Sequence, residues 1–270
     1  MSGATVVISP AGYSSGATAI VLDSFEDNTL AAPPAAYSGT FSWNSVPAGD
    51  VSIQTTYAKT GSRSKRFRWL TTTDASQQDF SHSTVSELWV SWWLRVPDNY
   101  SHGISVGGVD NRAASNNKLG YFWMDDYSFH GDGSTVGIEM RPDGVDGSSY
   151  WYLKLSPGSY NVTGGDMGSS RFITVPDDRG RWMQIILNVK PETSAGASDG
   201  RMRLWRKWDG ESSFTKVYDF TSQPVRLPAA GPAGFANGYL MGWADGRYAA
   251  TTDFYIDDFT ITTDNIWGVS

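Results

Sequence analysis

The sequence contains no cysteine, which excludes disulfide bonds, thiolate zinc sites and cysteine nucleophiles together. Histidine is scarce, and the 3 histidines are dispersed without the spacing of metal ligands. The formal net charge of -7 argues against a nucleic-acid partner, because affinity for phosphate depends largely on clustered Lys and Arg. We therefore expect neither cysteine chemistry nor nucleic-acid binding.

Long apolar runs are also missing. No stretch approaches the roughly 18 apolar residues of a membrane span, so we expect no membrane insertion. The start "MSGATVVISP" lacks the basic flank and the long apolar run of a signal peptide. We expect an extracellular or virion-surface location that is reached without a signal peptide in this chain, after processing or by release on lysis.

Helical periodicity is almost absent, because no long window keeps apolar residues at positions i, i+3, i+4 and i+7. Short β-branched and aromatic segments bounded by Gly, Pro, Asp or Asn occur instead, as in "ELWVSWWLRVP", "YWYLKLSP" and "RWMQIILNVKP". No fixed-period repeat is visible, which disfavours a propeller or a solenoid. The pattern predicts an all-β protein built as an antiparallel β-sandwich.

Aromatic residues are plentiful, with 12 Trp, 13 Tyr and 12 Phe in 270 residues, which is ample apolar surface for a core. Residues 1–19 are small and rich in Ser, Gly and Ala, and they are predicted to form an N-terminal arm. No linker divides the remainder. Residues 20–270 are therefore predicted to form one domain.

The segment "DFYIDDFTIT", residues 253–262, places a carboxylate on each face of a strand. With a period of two, Asp257 shares a face with Phe259 and Ile261, and Asp258 takes the other face. Burying a carboxylate without a partner is costly. The inward carboxylate must therefore be exposed at a strand end, hydrogen-bonded or bound to a cation.

Three segments carry a resemblance to a known fold: "VLDSFEDNTL", "RWMQIILNVKPETSAGASDGRMRLWRKWDG" and "GYLMGWADGRYAATTDFYIDDFTIT". They resemble concanavalin A-like jelly rolls, which include lectin domains, laminarinase-like domains and jelly-roll polysaccharide lyases. The resemblance implies a concanavalin A-like jelly-roll fold whose first and last strands are neighbours in one sheet. It also implies that a strand with the motif Gly-Arg-Trp pairs with a strand with the motif Asp-Gly-x-x-x-x-Trp.

The same resemblance implies a structural Ca²⁺, held where an acidic residue near the first strand meets an aspartate of the last strand. Carried over by position, the ligands are Asp23 or Glu26 together with Asp257. Carboxylate oxygens are ligands that Ca²⁺ prefers. The alternative is that Asp257 caps a turn or accepts backbone hydrogen bonds, which satisfies the carboxylate without a metal.

A sugar ring has an apolar face edged by hydroxyls, so its binding site needs an aromatic plate beside planar polar groups. Strand alternation aligns such side chains in several segments. The predicted carbohydrate-binding residues are Trp93, Arg95, Glu139, Arg141, Arg203, Trp205, Trp243, Arg247 and Tyr248. The alternative for each is structural, because a strand tryptophan is usually core and Arg alternating with aromatics usually coats a solvated face.

An enzymatic alternative is β-elimination on an acidic polysaccharide. This reaction needs a neutraliser for the uronate carboxylate, a base for the C5 proton and an acid for the leaving oxygen. Arg95 or Arg141 is the candidate neutraliser, and His130 or Tyr121 the candidate acid or base. Jelly-roll alginate lyases carry Arg-Thr-Glu-x-Arg and Gln-x-His strands, whereas this chain has only Glu139-x-Arg141 and no Gln-x-His.

The sequence therefore predicts a glycan-binding, lectin-like module without catalysis, whose partner is a polysaccharide or glycan and which belongs to a virion or other surface assembly. One alternative is a polysaccharide lyase that acts by β-elimination. Another is a structural or decoration protein of a virus particle, joined to its assembly through the N-terminal arm. Fold does not decide among these, because one sandwich hosts all three.

Overall fold

The computed structural model describes residues 19–30, 39–44, 49–103, 105–106, 109–110, 117–124, 135–156, 171–194, 197–223, 225, 234–244 and 247–270. These residues form strands and no helix, so the all-β prediction is confirmed. Across these ranges there is accordingly no helix suited to crossing a membrane. Of the predicted arm, residues 1–19, only Ala19 lies within the described residues, and it begins the first strand.

The strands are short segments separated by turns, as the sequence predicts. In chain order they are β1 (Ala19–Asp23), β2 (Phe41–Trp43), β3 (Asp50–Gln54), β4 (Ser64–Trp69), β5 (Ala75–Val85), β6 (Leu88–Arg95), β7 (Ser105–Val106), β8 (Val109–Asp110), β9 (Asn117–Met124), β10 (Thr135–Pro142), β11 (Ser149–Ser156), β12 (Arg171–Ile173), β13 (Trp182–Lys190), β14 (Gly200–Trp208), β15 (Thr215–Gln223), β16 (Phe235–Trp243) and β17 (Thr252–Thr262).

Two large antiparallel sheets contain all of these strands except β7 and β8, which pair with each other. The sheet that we call the back sheet has the order β15-β14-β13-β6-β17-β4-β3, with β1 also paired to β17. The sheet that we call the front sheet has the order β12-β11-β10-β9-β16-β5-β2. The two sheets enclose one large apolar core, which confirms the predicted antiparallel β-sandwich.

Strand β6 shows how the sequence builds this core. Leu88, Val90, Trp92 and Leu94 alternate along the strand and belong to the buried core cluster. The intervening residues, Trp89, Ser91, Trp93 and Arg95, point away from it on the outward face of the back sheet. Burial of each of these apolar side chains favours the folded state by about 1.5–3 kcal/mol, so the inward face of β6 contributes substantially to the stability of the sandwich.

The strand neighbours that the resemblance implies are present. The first strand, β1, pairs with the last, β17, and Asp23 lies opposite Phe259. The strand that follows Gly-Arg, β13, pairs with β14 from Met183, opposite Trp208, to Lys190, opposite Arg201. Both sets of pairs belong to the back sheet.

Strand β17 contains a bulge at Asp258, which the sequence pattern did not predict. Asp258 has a φ of 48°, and the pairing with β6 shifts between Asp257 and Thr260. This bulge inserts one residue and reverses the alternation, so Phe259 and Ile261 face the core while Asp257 faces outward beside Trp93. The prediction that Asp257 shares a face with Phe259 and Ile261 is wrong, because a strict period of two does not survive a bulge.

Candidate functional site

The predicted carbohydrate-binding residues do not lie on one surface. Trp93, Arg95, Arg203 and Trp205 lie on the outward face of the back sheet. Glu139, Arg141 and Trp243 lie on the outward face of the front sheet, on the opposite side of the sandwich. Arg247 is exposed outside the strands, and Tyr248 is buried. One groove cannot contain all nine of these residues.

The residues on the back sheet have partners within the protein. The Arg95 guanidinium lies 3.4 Å from the centre of the Tyr57 ring and donates to Asp98 at 2.8 Å. Arg203 donates to Asp219 at 2.7 Å. The Trp205 ring stacks on Trp89, with 5.7 Å between the ring centres, and is only 2 % exposed.

Tyr248 also has a structural environment. Its hydroxyl is hydrogen-bonded to the Asn117 amide, and its ring meets Trp69 edge to face. Burial raises the pKa of the Tyr248 hydroxyl well above its usual range. In this position the side chain belongs to the core and is 2 % exposed.

The outward face of the front sheet brings together a set of aromatic, cationic and carboxylate side chains. Register places Tyr239 beside Tyr121, Tyr121 beside Gly137, and Glu139 between Lys118 and Tyr152. Arg141 follows Glu139 on the same face of β10, and Trp243 ends β16. We call the following residues the front-sheet site: Lys118, Tyr121, Glu139, Arg141, Tyr152, Tyr239 and Trp243.

Gly137 is the residue that shapes the middle of this site. A Cβ at this position would lie 2.5 Å from Cζ of Tyr121, so only glycine lets the Tyr121 ring lie across β10. The Tyr121 hydroxyl then reaches the next outward position and donates to the Glu139 carboxylate. Glu139 is fully buried on this face, and its carboxylate is held by a hydrogen bond from a phenol.

Cations flank this buried carboxylate on two sides. The Arg141 guanidinium lies 3.4 Å from the centre of the Tyr152 ring. The Lys118 ammonium lies 5.0 Å from the centre of Tyr121 and 5.6 Å from that of Trp243. Such cation–π contacts hold long flexible side chains in place beside the aromatic rings.

The aromatic rings pack against one another along the site, where Tyr121 and Trp123 are buried (7 % and 6 % exposed) and Tyr239 is partly buried. The Tyr121 and Tyr239 rings stack with 5.2 Å between their centres, and Trp123 meets Tyr239 at 5.6 Å. Gly242, with a φ of 136°, lies close to the Tyr239 ring, since a Cβ there would come within 2.9 Å of it. At the end of this surface Trp243 is 58 % exposed.

Asp79 adds a carboxylate at the margin of the site, directly opposite Tyr239 on β5. Burial raises the pKa of Asp79, while a hydrogen bond from the Gln77 amide opposes this. Aromatic faces, cations and hydrogen-bonding groups therefore converge on one side of the sandwich. This combination suits a ligand that has apolar ring faces, hydroxyl edges and negative charge.

Sequence reasoning missed three members of the front-sheet site: Lys118, Tyr152 and Tyr239. The signal was present as alternation in "KLGYFWM", "YWYLKL" and "GYLMGW", but it could not show which strands are neighbours. Tyr121, a candidate acid or base for the lyase alternative, does lie in the site. His130, the other candidate, lies outside the described residues.

The three predicted calcium ligands do not converge. Asp23 faces the core opposite Phe259, whereas Asp257 faces outward opposite Trp93, so the back sheet separates them. Glu26 accepts hydrogen bonds from the backbone of Ser62 and Arg63. Nowhere in the described ranges does a group of three or more His, Asp or Glu suit a metal ion.

Protein donors take up the oxygens of the two strand carboxylates. Asp257 accepts from the backbone N–H of Lys59 and Thr60 at 2.7 and 3.1 Å, and Asp23 accepts from Phe25 and Trp43. Burial, aided by the charge of Asp258, raises the pKa of Asp257 to about 7. Ca²⁺ requires several free oxygen ligands, so these residues do not fit it. Calcium stays a prediction of the resemblance.

Comparisons with known proteins show the fold. No family model and no curated protein matches the chain. The alginate lyase Aly36B in complex with alginate trisaccharide is similar in structure over 75 % of this chain and 82 % of that one, at 14 % identity and a TM-score of 0.54. The PL-14 alginate lyase from Aplysia kurodai is similar over 79 % and 87 %, at 15 % identity and a TM-score of 0.53.

A botulinum neurotoxin type C structure is similar over 92 % of this chain and 48 % of that one, at 12 % identity and a TM-score of 0.51. Its cell entry is described as dependent upon interaction with two ganglioside molecules. The chain therefore has the concanavalin A-like jelly-roll fold that the sequence resemblance implied. Proteins with this fold in the comparison include lyases and glycan binders, so the fold defines the class and the site must define the activity.

Proposed function

We propose that the front-sheet site binds a segment of an acidic polysaccharide. The observation that carries this proposal is the placement of Lys118 and Arg141 beside aromatic rings on one outward sheet face. Trp243, which is 58 % exposed, supplies a plate on which a sugar ring stacks. The two cations attract uronate carboxylates, and Arg141 is suited to a bidentate contact.

Binding without catalysis is the first form of this proposal, as the sequence predicts. Trp243→Ala removes the stacking plate and Arg141→Gln removes a cation, so each is expected to weaken binding about tenfold or more. Isothermal titration calorimetry with oligosaccharides of alginate, glucuronan and pectin type measures this. Val145→Ala, at a residue that is 75 % exposed outside the site, is the matched control and keeps wild-type affinity. Unchanged affinity in both site variants would remove the proposal.

A second candidate is lyase activity at the same site, and a specific contact favours it. The Tyr121 hydroxyl donates to the buried Glu139 carboxylate, and the Tyr239 ring stacks on Tyr121. A phenol that donates to a carboxylate, beside a cation, supplies the components of acid–base chemistry on a uronate. Arg141 would neutralise the sugar carboxylate, and Glu139 would accept the Tyr121 hydroxyl proton as the phenolate takes the C5 proton. The C4–O bond then breaks, the Tyr121 hydroxyl protonates the leaving oxygen, and Glu139 returns its proton to Tyr121.

The lyase candidate is tested by the ultraviolet absorbance of the unsaturated product during incubation with alginate, glucuronan or pectin. If the candidate holds, Tyr121→Phe lowers kcat about a hundredfold or more, because it removes the hydroxyl and keeps the ring. Tyr57→Phe, which removes a phenol hydroxyl beside Arg95 on the other side of the sandwich, is the matched control. A flat absorbance trace on all three polymers, together with binding to one of them, leaves the non-catalytic form.

A further inference from the structure

A pocket on the outward face of the back sheet, on the opposite side from the front-sheet site, has a volume of about 680 Å³. Its floor is formed by side chains that cross-strand pairing places in one row: Trp93 on β6, Gln184 on β13 and Lys207 on β14. Thr260 on β17 and Trp205 on β14 extend this floor. The volume falls within the range of about 300–1,000 Å³ that is typical of small-ligand sites.

The walls of the pocket come from segments distant in sequence. Phe214 ends the turn between β14 and β15, Lys216 lies at the start of β15, and residues 266–270 form another wall. Phe214 and Trp267 also pack against the apolar cluster of Trp89, Ile186 and Trp205, which anchors both walls to the sheet. The pocket is therefore built on a rigid sheet, with walls that are themselves packed.

Three lysines and several aromatic rings line this space. The Lys59 ammonium lies 4.5 Å from the centre of the Trp93 ring and 2.8 Å from Asp209. The Lys207 ammonium lies 4.6 Å from the centre of the Phe214 ring, and Lys216 pairs with Asp219 at 2.7 Å.

Hydrogen-bonding groups stand beside these charges. The Gln184 amide, which lines the pocket floor, donates to Ser91 at 3.2 Å. One side-chain carboxylate, that of Asp258, also lines the pocket, and it accepts a hydrogen bond from the Thr60 hydroxyl. Lys59 and Lys216 are paired with Asp209 and Asp219, so among the described residues Lys207 is the lining ammonium that has no ion-pair partner.

We propose that this pocket is a second saccharide site, which takes a short oligosaccharide bearing carboxylates. Trp93 and Phe214 offer ring faces to the sugar, Gln184 and Thr260 offer hydrogen bonds to its hydroxyls, and Lys207 attracts its carboxylate. The pocket and the front-sheet site share no residue, so neither depends on the other. With both sites occupied, one molecule holds two chain segments and binds a polymer with higher avidity than either site alone.

The experiment is titration calorimetry of the full chain with an alginate trisaccharide, for the wild type, Lys207→Gln and Trp243→Ala. We expect a stoichiometry of two in the wild type, and in each variant one site of wild-type affinity with the other weakened about tenfold or more. Trp93→Phe adds a second measurement, because loss of the Trp93 indole resonance from an NMR spectrum identifies the signal that trisaccharide binding should shift. Circular dichroism verifies that each variant is folded.

Each alternative outcome has a distinct meaning. One site that is lost in Trp243→Ala and kept in Lys207→Gln overturns the pocket and keeps the front-sheet site. One site with the opposite pattern keeps the pocket and overturns the proposed function. Absence of binding overturns both, and equal affinity for a neutral trisaccharide of glucose overturns the requirement for carboxylates.

Discussion

At the scale of single residues, the least expected feature is a lysine inside the core. Lys65 is fully buried on β4, and its ammonium lies 3.5 Å from the centre of the Trp43 ring and 4.7 Å from that of Phe25. Among the described residues its Nζ has no hydrogen-bond partner. Burial lowers the pKa of Lys65 from 10.5 to about 7, while the charge of Asp23 opposes this.

This lysine predicts how stability depends on pH. Between the folded pKa of about 7 and the unfolded pKa of 10.5, the unfolded chain binds the proton and the folded chain does not. The free energy of unfolding therefore rises with pH across this window, by on the order of a few kcal/mol. Lys65→Met is expected to remove the rise.

The measurement is urea unfolding at several pH values for the wild type, Lys65→Met and Lys190→Met, the last at an exposed lysine of β13. The control should keep the wild-type slope, since an exposed lysine has similar surroundings in both states. A rise with pH that persists unchanged in Lys65→Met would show that the buried ammonium is not its source.

At the scale of elements, the bulge in β17 decides which face each side chain takes. Asp258 holds a φ of 48°, a conformation that Asp and Asn tolerate and that β-branched residues avoid. Before the bulge Ile256 faces the core, and after it Phe259 and Ile261 do. Because of the extra residue, Asp257 lies on the opposite face from Phe259 and Ile261. Its carboxylate faces outward and accepts hydrogen bonds from the backbone N–H groups of Lys59 and Thr60.

The bulge predicts a difference between two substitutions at one position. Asp258→Asn keeps the left-handed conformation and is expected to unfold at nearly the wild-type urea concentration. Asp258→Val forces a β-branched residue into that conformation and is expected to lose about 1–3 kcal/mol of stability. Chemical unfolding of both variants decides this, and equal stability of the two would show that the bulge carries no conformational cost.

At the scale of the whole molecule, the sandwich separates residues that the sequence places in similar patterns. The motif of Trp93 and Arg95 and the motif of Glu139 and Arg141 both alternate along a strand. The first lies outside the back sheet and the second outside the front sheet. Two faces with aromatic and cationic side chains therefore exist, one with the front-sheet site and one with a pocket.

The predicted structural calcium is also tested on the whole molecule, by thermal unfolding with and without EDTA. An ion that binds only the folded chain stabilises it, so a calcium site predicts a Tm that falls on chelation. The separate hydrogen-bond partners of Asp23, Glu26 and Asp257 instead predict an unchanged Tm, which is the result that we expect. If EDTA lowered the Tm and added calcium restored it, the protein would have a calcium site formed by other residues, and our expectation would be wrong.

The sequence by itself determined the local features of this protein. The alternation of Leu88, Val90, Trp92 and Leu94 and the turn-rich spacing depend on neighbouring residues, so the strands and the sandwich could be predicted. Arg141, Glu139 and Trp243 could be selected as site residues because they stand in alternation with core residues or at a strand end.

Only the tertiary structure decided which of these residues meet. Tyr121, Gly137 and Glu139 form a unit because β9 and β10 are neighbours, and Tyr239 joins them because β16 lies on the other side of β9. The face of Asp257 depends on a bulge whose backbone conformation does not follow from a period of two. Strand pairing brings together residues that are far apart along the chain. For that reason the local pattern could not indicate which of the predicted residues lie on the front sheet and which lie on the back sheet.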